Sequence, residues 1–306
     1  MNAVDLFAGC GGMSLGFTKA GVNILSAYDY WEPAVECYRT NFAHPIFRRD
    51  LSDVASVIEI IDPLMPQMVV GGPPCQDFSH AGPRTEGNRA DLTVNFAEIV
   101  SALRSQWFVM ENVNRIEKSG AYMKARNMFR AAGYGLTEVL LDASLCGVPQ
   151  KRKRFFCIGR LDEQDGFLRD DLMAALDVEP MTVRRYMGEE LRIEHFYRHP
   201  RNYSRRAVFS IDEPAPTVRG VNRPVPSGYP GHGGDSAPVS SGIRSLTTEE
   251  RARLQTFPPE FEWSGTKTDK EQLIGNAVPV ELAAFVGKAV MAYHKSATPT
   301  PAGSPV

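Results

Sequence analysis

What the chain has little of narrows its class first. Its 306 residues include five cysteines, an odd number with no C-x-x-C type of pairing. That excludes a disulfide framework and a zinc site of ordinary spacing, so no metal is expected. A reducing, cytoplasmic compartment follows as the expectation. No apolar run approaches the length of a bilayer crossing, so no membrane is expected as a partner. The chain enters a strand pattern at once, AVDLF, so neither a signal peptide nor a long N-terminal regulatory region is expected. There is no repeat at fixed period. There is also no G-x-G-x-x-G after a strand, which leaves a dinucleotide-binding oxidoreductase poorly supported. A net charge of -2 gives no strong field of either sign.

That charge is unevenly placed. Residues 1–149 hold 12 Lys/Arg and 16 Asp/Glu, whereas 181–246 hold 10 and 6. Five basic residues and no acid fall between Lys151 and Arg160, and the segment 198–206, RHPRNYSRR, has four arginines and no acid. An acidic body with a basic middle is the pattern expected of a polyanion-binding face; a solvated surface is the other reading.

To about Arg160, apolar strand-like runs alternate with amphipathic helical ones, which predicts a doubly wound, mostly parallel α/β sheet. Three strand ends carry chemistry. The first runs into Asp5-Leu6-Phe7-Ala8-Gly9-Cys10-Gly11-Gly12, a glycine-rich turn before a helix. Such a turn lets the backbone approach an anionic group closely, or is a tight connection only. The second ends at Asp29, placed to hold a ribose hydroxyl pair or to cap a helix, with Tyr30 and Trp31 beside it; Asp50 ends the third. Together these point to a nucleoside-containing cofactor. The run Met68-Val69-Val70 reads as a buried strand stopped by Gly71-Gly72-Pro73-Pro74, which delivers Cys75 to the sheet's carboxyl edge. The strand WFVMENV brings Glu111 to the same edge. In Gln150-Lys151-Arg152-Lys153-Arg154, the strand period puts Gln150, Arg152 and Arg154 on one face.

Six motifs in this order resemble those of the DNA cytosine-5 methyltransferases of bacterial or phage type: DLFAGCGG at 5–12, GGPPCQDFS at 71–79, ENV at 111–113, QKRKR at 150–154, SLTTEERARLQTFP at 245–258 and QLIGNAVP at 272–279. The resemblance implies a Rossmann-like S-adenosylmethionine-dependent fold with a smaller, loop-rich target-recognition domain. The catalytic and cofactor-binding domain would be 1–160 and 247–295, the recognition domain 161–246, and 296–306 a disordered tail.

By the same resemblance, Cys75 attacks carbon 6 of a flipped cytosine and activates carbon 5, a role for which sulfur is reactive at neutral pH. Glu111 holds N3 and the exocyclic amine; Arg152 and Arg154 orient the base and stabilise charge near O2. S-adenosyl-L-methionine lies against Phe7, Ala8, Gly9, Cys10, Gly11, Gly12, Asp29, Tyr30, Asp50, Leu51, Pro74, Asn276 and Val278. The family usually has Glu where Asp29 stands, which lengthens the ribose contact. The loop 76–91 resembles the one that closes over the flipped base. Gln76, Ser79, Arg84 and Arg89 there, and Thr217, Arg219 and Arg223 in the recognition region, are the expected contacts to double-stranded DNA. An arginine bidentate to guanine is the commonest specific base contact, so a guanine-containing target is expected.

A compact microbial enzyme is implied, a monomer acting alone or beside a restriction endonuclease of the same site without a stable complex. Two rivals remain. A tRNA cytosine-5 methyltransferase shares these motifs but usually carries Cys-Phe-Thr, which is missing here. An inactive DNA-binding relative is disfavoured by the intact motif residues.

Overall fold

The computed structural model describes residues 1–74, 92–239 and 242–297. Seven strands form one sheet in the order β3-β2-β1-β4-β5-β8-β6. They are β1 (Asn2–Leu6), β2 (Asn23–Asp29), β3 (Ile46–Arg48), β4 (Met68–Gly71), β5 (Trp107–Val113), β6 (Tyr134–Asp142) and β8 (Lys153–Leu161). Strands β3 to β5 are parallel, and β8 runs antiparallel between β5 and β6. The chain winds outward from β1 to β3, then restarts on the other side of β1 with β4. The switch point lies between β1 and β4, where ligands of this architecture bind.

Alternation across the pleat sorts the central strands between two cores. Ala3, Met68, Val70, Trp107 and Val109 face a layer containing α1 (Gly12–Lys19) and α10 (Val280–Ala297). Val4, Leu6, Val69, Phe108 and Met110 face α3 (Val54–Ile61), α4 (Leu92–Leu103) and α5 (Gly120–Ala131). Strand β4, at the centre of the sheet, is therefore apolar on both faces, as a doubly covered parallel sheet requires. Asp53 caps α3 by accepting from Ser56 N, and Ser119 caps α5 by accepting from Tyr122 N.

The C-terminal stretch corrects one expectation. Residues Lys267–Ala297 are long and apolar enough by composition alone to cross a membrane, yet 72% of the most apolar window is buried inside the protein. Helix α10 is apolar because it covers the sheet: a Cβ at Gly16 of α1 would lie 2.5 Å from Ala283 Cβ, so the two helices touch through a glycine. Helix α10 also continues through Ala297, past the expected start of the tail at 296; residues 298–306 lie outside the described residues.

A smaller unit carries the sheet β10-β9-β12, from β9 (His195–Tyr197), β10 (Val208–Ser210) and β12 (Arg244–Ser245), with α7 (Val183–Met187) beside it. Its joint to the large sheet is a parallel pair of β7 (Gln150–Lys151) with β11 (Ala215–Pro216). The expected boundary at 161 is displaced: Leu168 and Leu172, on or beside α6 (Arg169–Ala174), are fully buried in the first core of the large sheet. Helices α8 (Thr248–Leu254) and α9 (Lys267–Asn276) lie at the seam, since Leu254, Leu273 and Ile274 cluster with Cys10, Ala34 and Val280 of the large unit as well as with Val183, Phe196 and Val218 of the smaller one. Helix α8 opens with a reciprocal capping box between Thr247 and Glu250.

Candidate active site

Strand register brings the candidate groups into one row. Tyr28, Leu6, Gly71 and Met110 are laterally paired across β2, β1, β4 and β5. The next residue on each strand is Asp29, Phe7, Gly72 and Glu111, so these four sit at the carboxyl edge astride the switch point. Gly71 must be glycine, because a Cβ there would lie 2.4 Å from Leu6 O.

Glu111 is buried, and its Oε1 lies 2.8 Å from Arg154 Nε. The antiparallel pairing of Val113 with Arg154 makes that contact. Burial pushes the Glu111 carboxyl above its ordinary range, while Arg154 and then Arg152 pull it back. Burial also lowers Arg154 from its ordinary value, partly offset by Glu111. The result is a carboxyl in a desolvated place, raised by burial and held back by its two arginine neighbours. A Cβ at Gly72 would lie 3.2 Å from Glu111 Oε2, so Glu111 faces the segment that runs into Cys75. Asn112 Nδ2 donates to Pro73 O at 2.8 Å and clasps that segment to β5. Cys75, Gln76, Ser79, Arg84 and Arg89 themselves lie outside the described residues.

The glycine-rich turn is left-handed at Phe7 (φ 59), Gly9 (φ 57) and Gly11 (φ 95). Gly12 and Gly11 are close-packed: a Cβ on Gly12 would lie 2.2 Å from Val278 O, and one on Gly11 2.3 Å from the Phe42 ring. A Cβ on Gly9 would meet nothing within 4 Å, so the turn is open there. Asp29 holds its shape, accepting from Gly9 N and Trp31 N, each at 2.8 Å. The helix that follows, Glu32–Asn41, has no side-chain cap, so Asp29 shapes the turn and does not cap that helix; a carboxylate with two bonds still has acceptor capacity. Tyr30 is exposed with the Arg48 guanidinium 5.6 Å from its ring centre. Asp50 lies two residues past β3, exposed, accepting from Ser52 N, while Leu51 is buried. Across the turn, Val278 is half-buried and Asn276 exposed, its Oδ1 accepting from Gln272. Pro74 is exposed and Ala8 and Cys10 are buried. An open turn, an exposed aromatic ring and exposed carboxylate are a donor set that fits a nucleoside with a charged tail.

Residues 1–292 match the family model described as C-5 cytosine-specific DNA methylase. The chain belongs to this family. The methylase is 54% identical over 297 residues to the Type II methyltransferase M.HindV of Haemophilus influenzae, covering 96% of this chain and 98% of that one. It is 51% identical over 294 residues to the Type II methyltransferase M.HgiDI of Herpetosiphon aurantiacus, covering 96% and 95%. Among solved structures, the S. pombe Dnmt2 methyltransferase superposes with a TM-score of 0.72 at 20% identity over 96% of this chain and 99% of that one, a likeness of fold. The protein is thus a DNA cytosine-5 methyltransferase.

The methylase keeps two of the expected residues apart from the row. Arg152 is fully enclosed, and its guanidinium donates to the carbonyls of Val218, Gly275 and Ala277. A guanidinium committed to three carbonyls is not presented to a base, which corrects its expected catalytic placement. Arg219 is half-buried and donates to His199 O, while its own carbonyl accepts from Arg251. Its side chain braces the recognition region instead of projecting from it. Thr217 Oγ1 donates to Lys151 O at 2.7 Å. Arg223 is exposed. Around Arg198 the charges are crowded: burial, then Arg219, Arg201, Arg251 and Arg205, hold it down to about 10.

Three residues were visible inside the motifs without their roles. Asn112 clasps Pro73. Gln150 is fully buried, its Oε1 accepting from Val218 N and its Nε2 donating to Gln255 Oε1, each at 2.8 Å. Gln255 in turn donates to Ile274 O and Ala277 O. A polar residue recurring on the inward face of a strand was the available signal. The four described cysteines, Cys10, Cys37, Cys146 and Cys157, are free and buried, as expected of small apolar side chains. Among the described residues no group of His, Cys, Asp and Glu has the arrangement of a metal site.

Proposed function

We propose that the methylase flips a cytosine out of duplex DNA and methylates it through a covalent adduct to Cys75. The observation that carries this reading is the buried Glu111–Arg154 pair facing Gly72, on the segment that leads to Cys75. The Cys75 thiolate adds to carbon 6, which turns carbon 5 into a nucleophile. Glu111 shares its proton with N3 and receives the exocyclic amine, neutralising charge as it develops and selecting cytosine. Arg154 aligns Glu111 and stabilises charge near O2. Once carbon 5 carries the methyl group, its proton passes to solvent and the electrons of that C–H bond expel the Cys75 thiolate, restoring the ring. Extrusion of the base costs roughly a few kcal/mol, which contacts of Gln76, Ser79, Arg84 and Arg89 with DNA would offset.

S-adenosyl-L-methionine, when bound, supplies the electrophilic methyl group. Phe7, the turn from Ala8 to Gly12, Asp29, Tyr30, Asp50, Leu51, Pro74, Asn276 and Val278 would hold it. Thr217 and Arg223 remain the proposed DNA contacts of the recognition region. A monomer is sufficient, because one chain supplies every group in the row. The names of the relatives support a cytoplasmic role beside an endonuclease that cuts the same site.

The test is transfer of labelled methyl from S-adenosylmethionine to unmethylated duplex DNA, with tRNA in parallel and Cys75→Ser as control. Transfer to DNA alone, lost in Cys75→Ser, is expected. Full transfer by Cys75→Ser, or transfer to tRNA in place of DNA, would overturn the reading.

A further inference from the structure

Arg152 joins β7 to β8 with 2% of its surface exposed. Among the described residues no carboxylate hydrogen-bonds to it. Nη1 donates to Val218 O at 3.0 Å, and Nη2 to Gly275 O at 3.1 Å and Ala277 O at 3.0 Å. Burying a guanidinium without a bonded counter-charge is costly, so this clamp is a demanding way to join two segments. Its neighbours hold the same place. Gln150 Oε1 accepts from Val218 N, and Lys151 O accepts from Thr217 Oγ1. There is no slack across the joint, since a Cβ on Gly275 would lie 2.1 Å from Gly220 N. Two residues further along, Arg154 meets Glu111. One five-residue segment therefore grips the Thr217-Val218 step at one end and the candidate catalytic carboxyl at the other.

We propose that Arg152 is a positioning residue that locks the Thr217-Val218 step to the strand carrying Arg154, so that correct seating of the target sequence sets the Glu111–Arg154 pair. This rests on the reading of that pair given above. The link is short, buried and built from charge-assisted bonds to a rigid fork, and it passes displacement along instead of absorbing it. A wrongly seated site shifts residues 217–218, and a small misalignment at Arg154 is enough to slow the chemistry severely. Arg152 thereby contributes to discrimination without touching the base.

The experiment first maps 5-methylcytosine in DNA methylated by the wild-type enzyme, which defines the target. It then compares kcat/KM on that duplex and on duplexes with one flanking base pair changed, for wild type, Arg152→Met, Arg152→Lys and Arg154→Lys. In Arg152→Met the ratio of target to altered duplex is expected to fall roughly tenfold, the size of one mismatch's discrimination, with a smaller fall in Arg152→Lys. Arg154→Lys is expected to slow both duplexes equally. An unchanged ratio in a folded Arg152 variant, whatever its rate or melting temperature, would overturn the proposal. Should Arg152→Met not fold, Arg152→Lys decides alone. Unimpaired turnover by Arg154→Lys would instead sink the reading of the active site and leave the Arg152 comparison standing.

Discussion

Asp5→Asn is expected to stabilise the methylase at neutral pH and to remove a pH dependence that the wild type carries. Asp5 is fully buried on β1 under α1. Ser14 Oγ donates to its Oδ2 at 2.6 Å, and Tyr38 OH donates to Ser14 Oγ at 2.7 Å and meets His44 Nε2. Oδ1 has no partner. Burial raises the carboxyl from 3.8 to about 7, the Ser14 bond opposing and the Asp29 charge adding. The folded protein thus keeps a proton that the unfolded chain has already released. The associated stability is complete below about pH 4, is lost as the pH rises, and is gone above about pH 7. At about 1.4 kcal/mol per pH unit, the whole effect is about 4 kcal/mol. Urea unfolding of both proteins at about pH 5.5, 7 and 8.5 measures it, and the gap between variant and wild type should widen by about 2 kcal/mol over the first step. A gap that stays constant with pH would refute the reasoning, because an unshifted carboxyl gives no such slope.

Glu111→Gln removes the shared proton and should lower kcat by about 10²–10⁴ with little change in KM for DNA, read by labelled methyl transfer. With Glu111 present, kcat should fall as pH rises through its raised pKa, and Glu111→Gln should flatten that limb. Gly12→Ala drives a Cβ to within 2.2 Å of Val278 O and should destabilise the fold by about 1–3 kcal/mol in urea. Arg223→Ala, at an exposed cation, should reduce the slope of log K against log salt by about 1 in anisotropy titrations, whereas Arg219→Ala, which loses an internal bond to His199 O, should lower stability and leave the slope.

The sequence by itself determined the alternation of strands and helices, the carboxyl-edge placement of Phe7, Asp29 and Glu111, and the chemistry expected at Cys75. Each depends on local information: strand period, abrupt turn residues, and the residue type that a nucleophile or a buried acid requires. It also put Gln150, Arg152 and Arg154 on one face, which is a matter of period alone. That Gln150 and Arg152 are buried and Arg154 only partly so, and what Arg152 does there, were decided only by tertiary structure. Its three carbonyl partners lie 66, 123 and 125 residues away, and nothing local distinguishes an arginine aimed at a base from one aimed at backbone. Arg219 is the same case, turned inward to His199. The expected boundary at 161 also moved. Whether Leu168 joins one core or another depends on which surfaces meet, and hydrophobicity is not directional. The pair Glu111–Arg154 lies between these limits: both residues were legible, but their contact required β8 to fold back antiparallel beside β5.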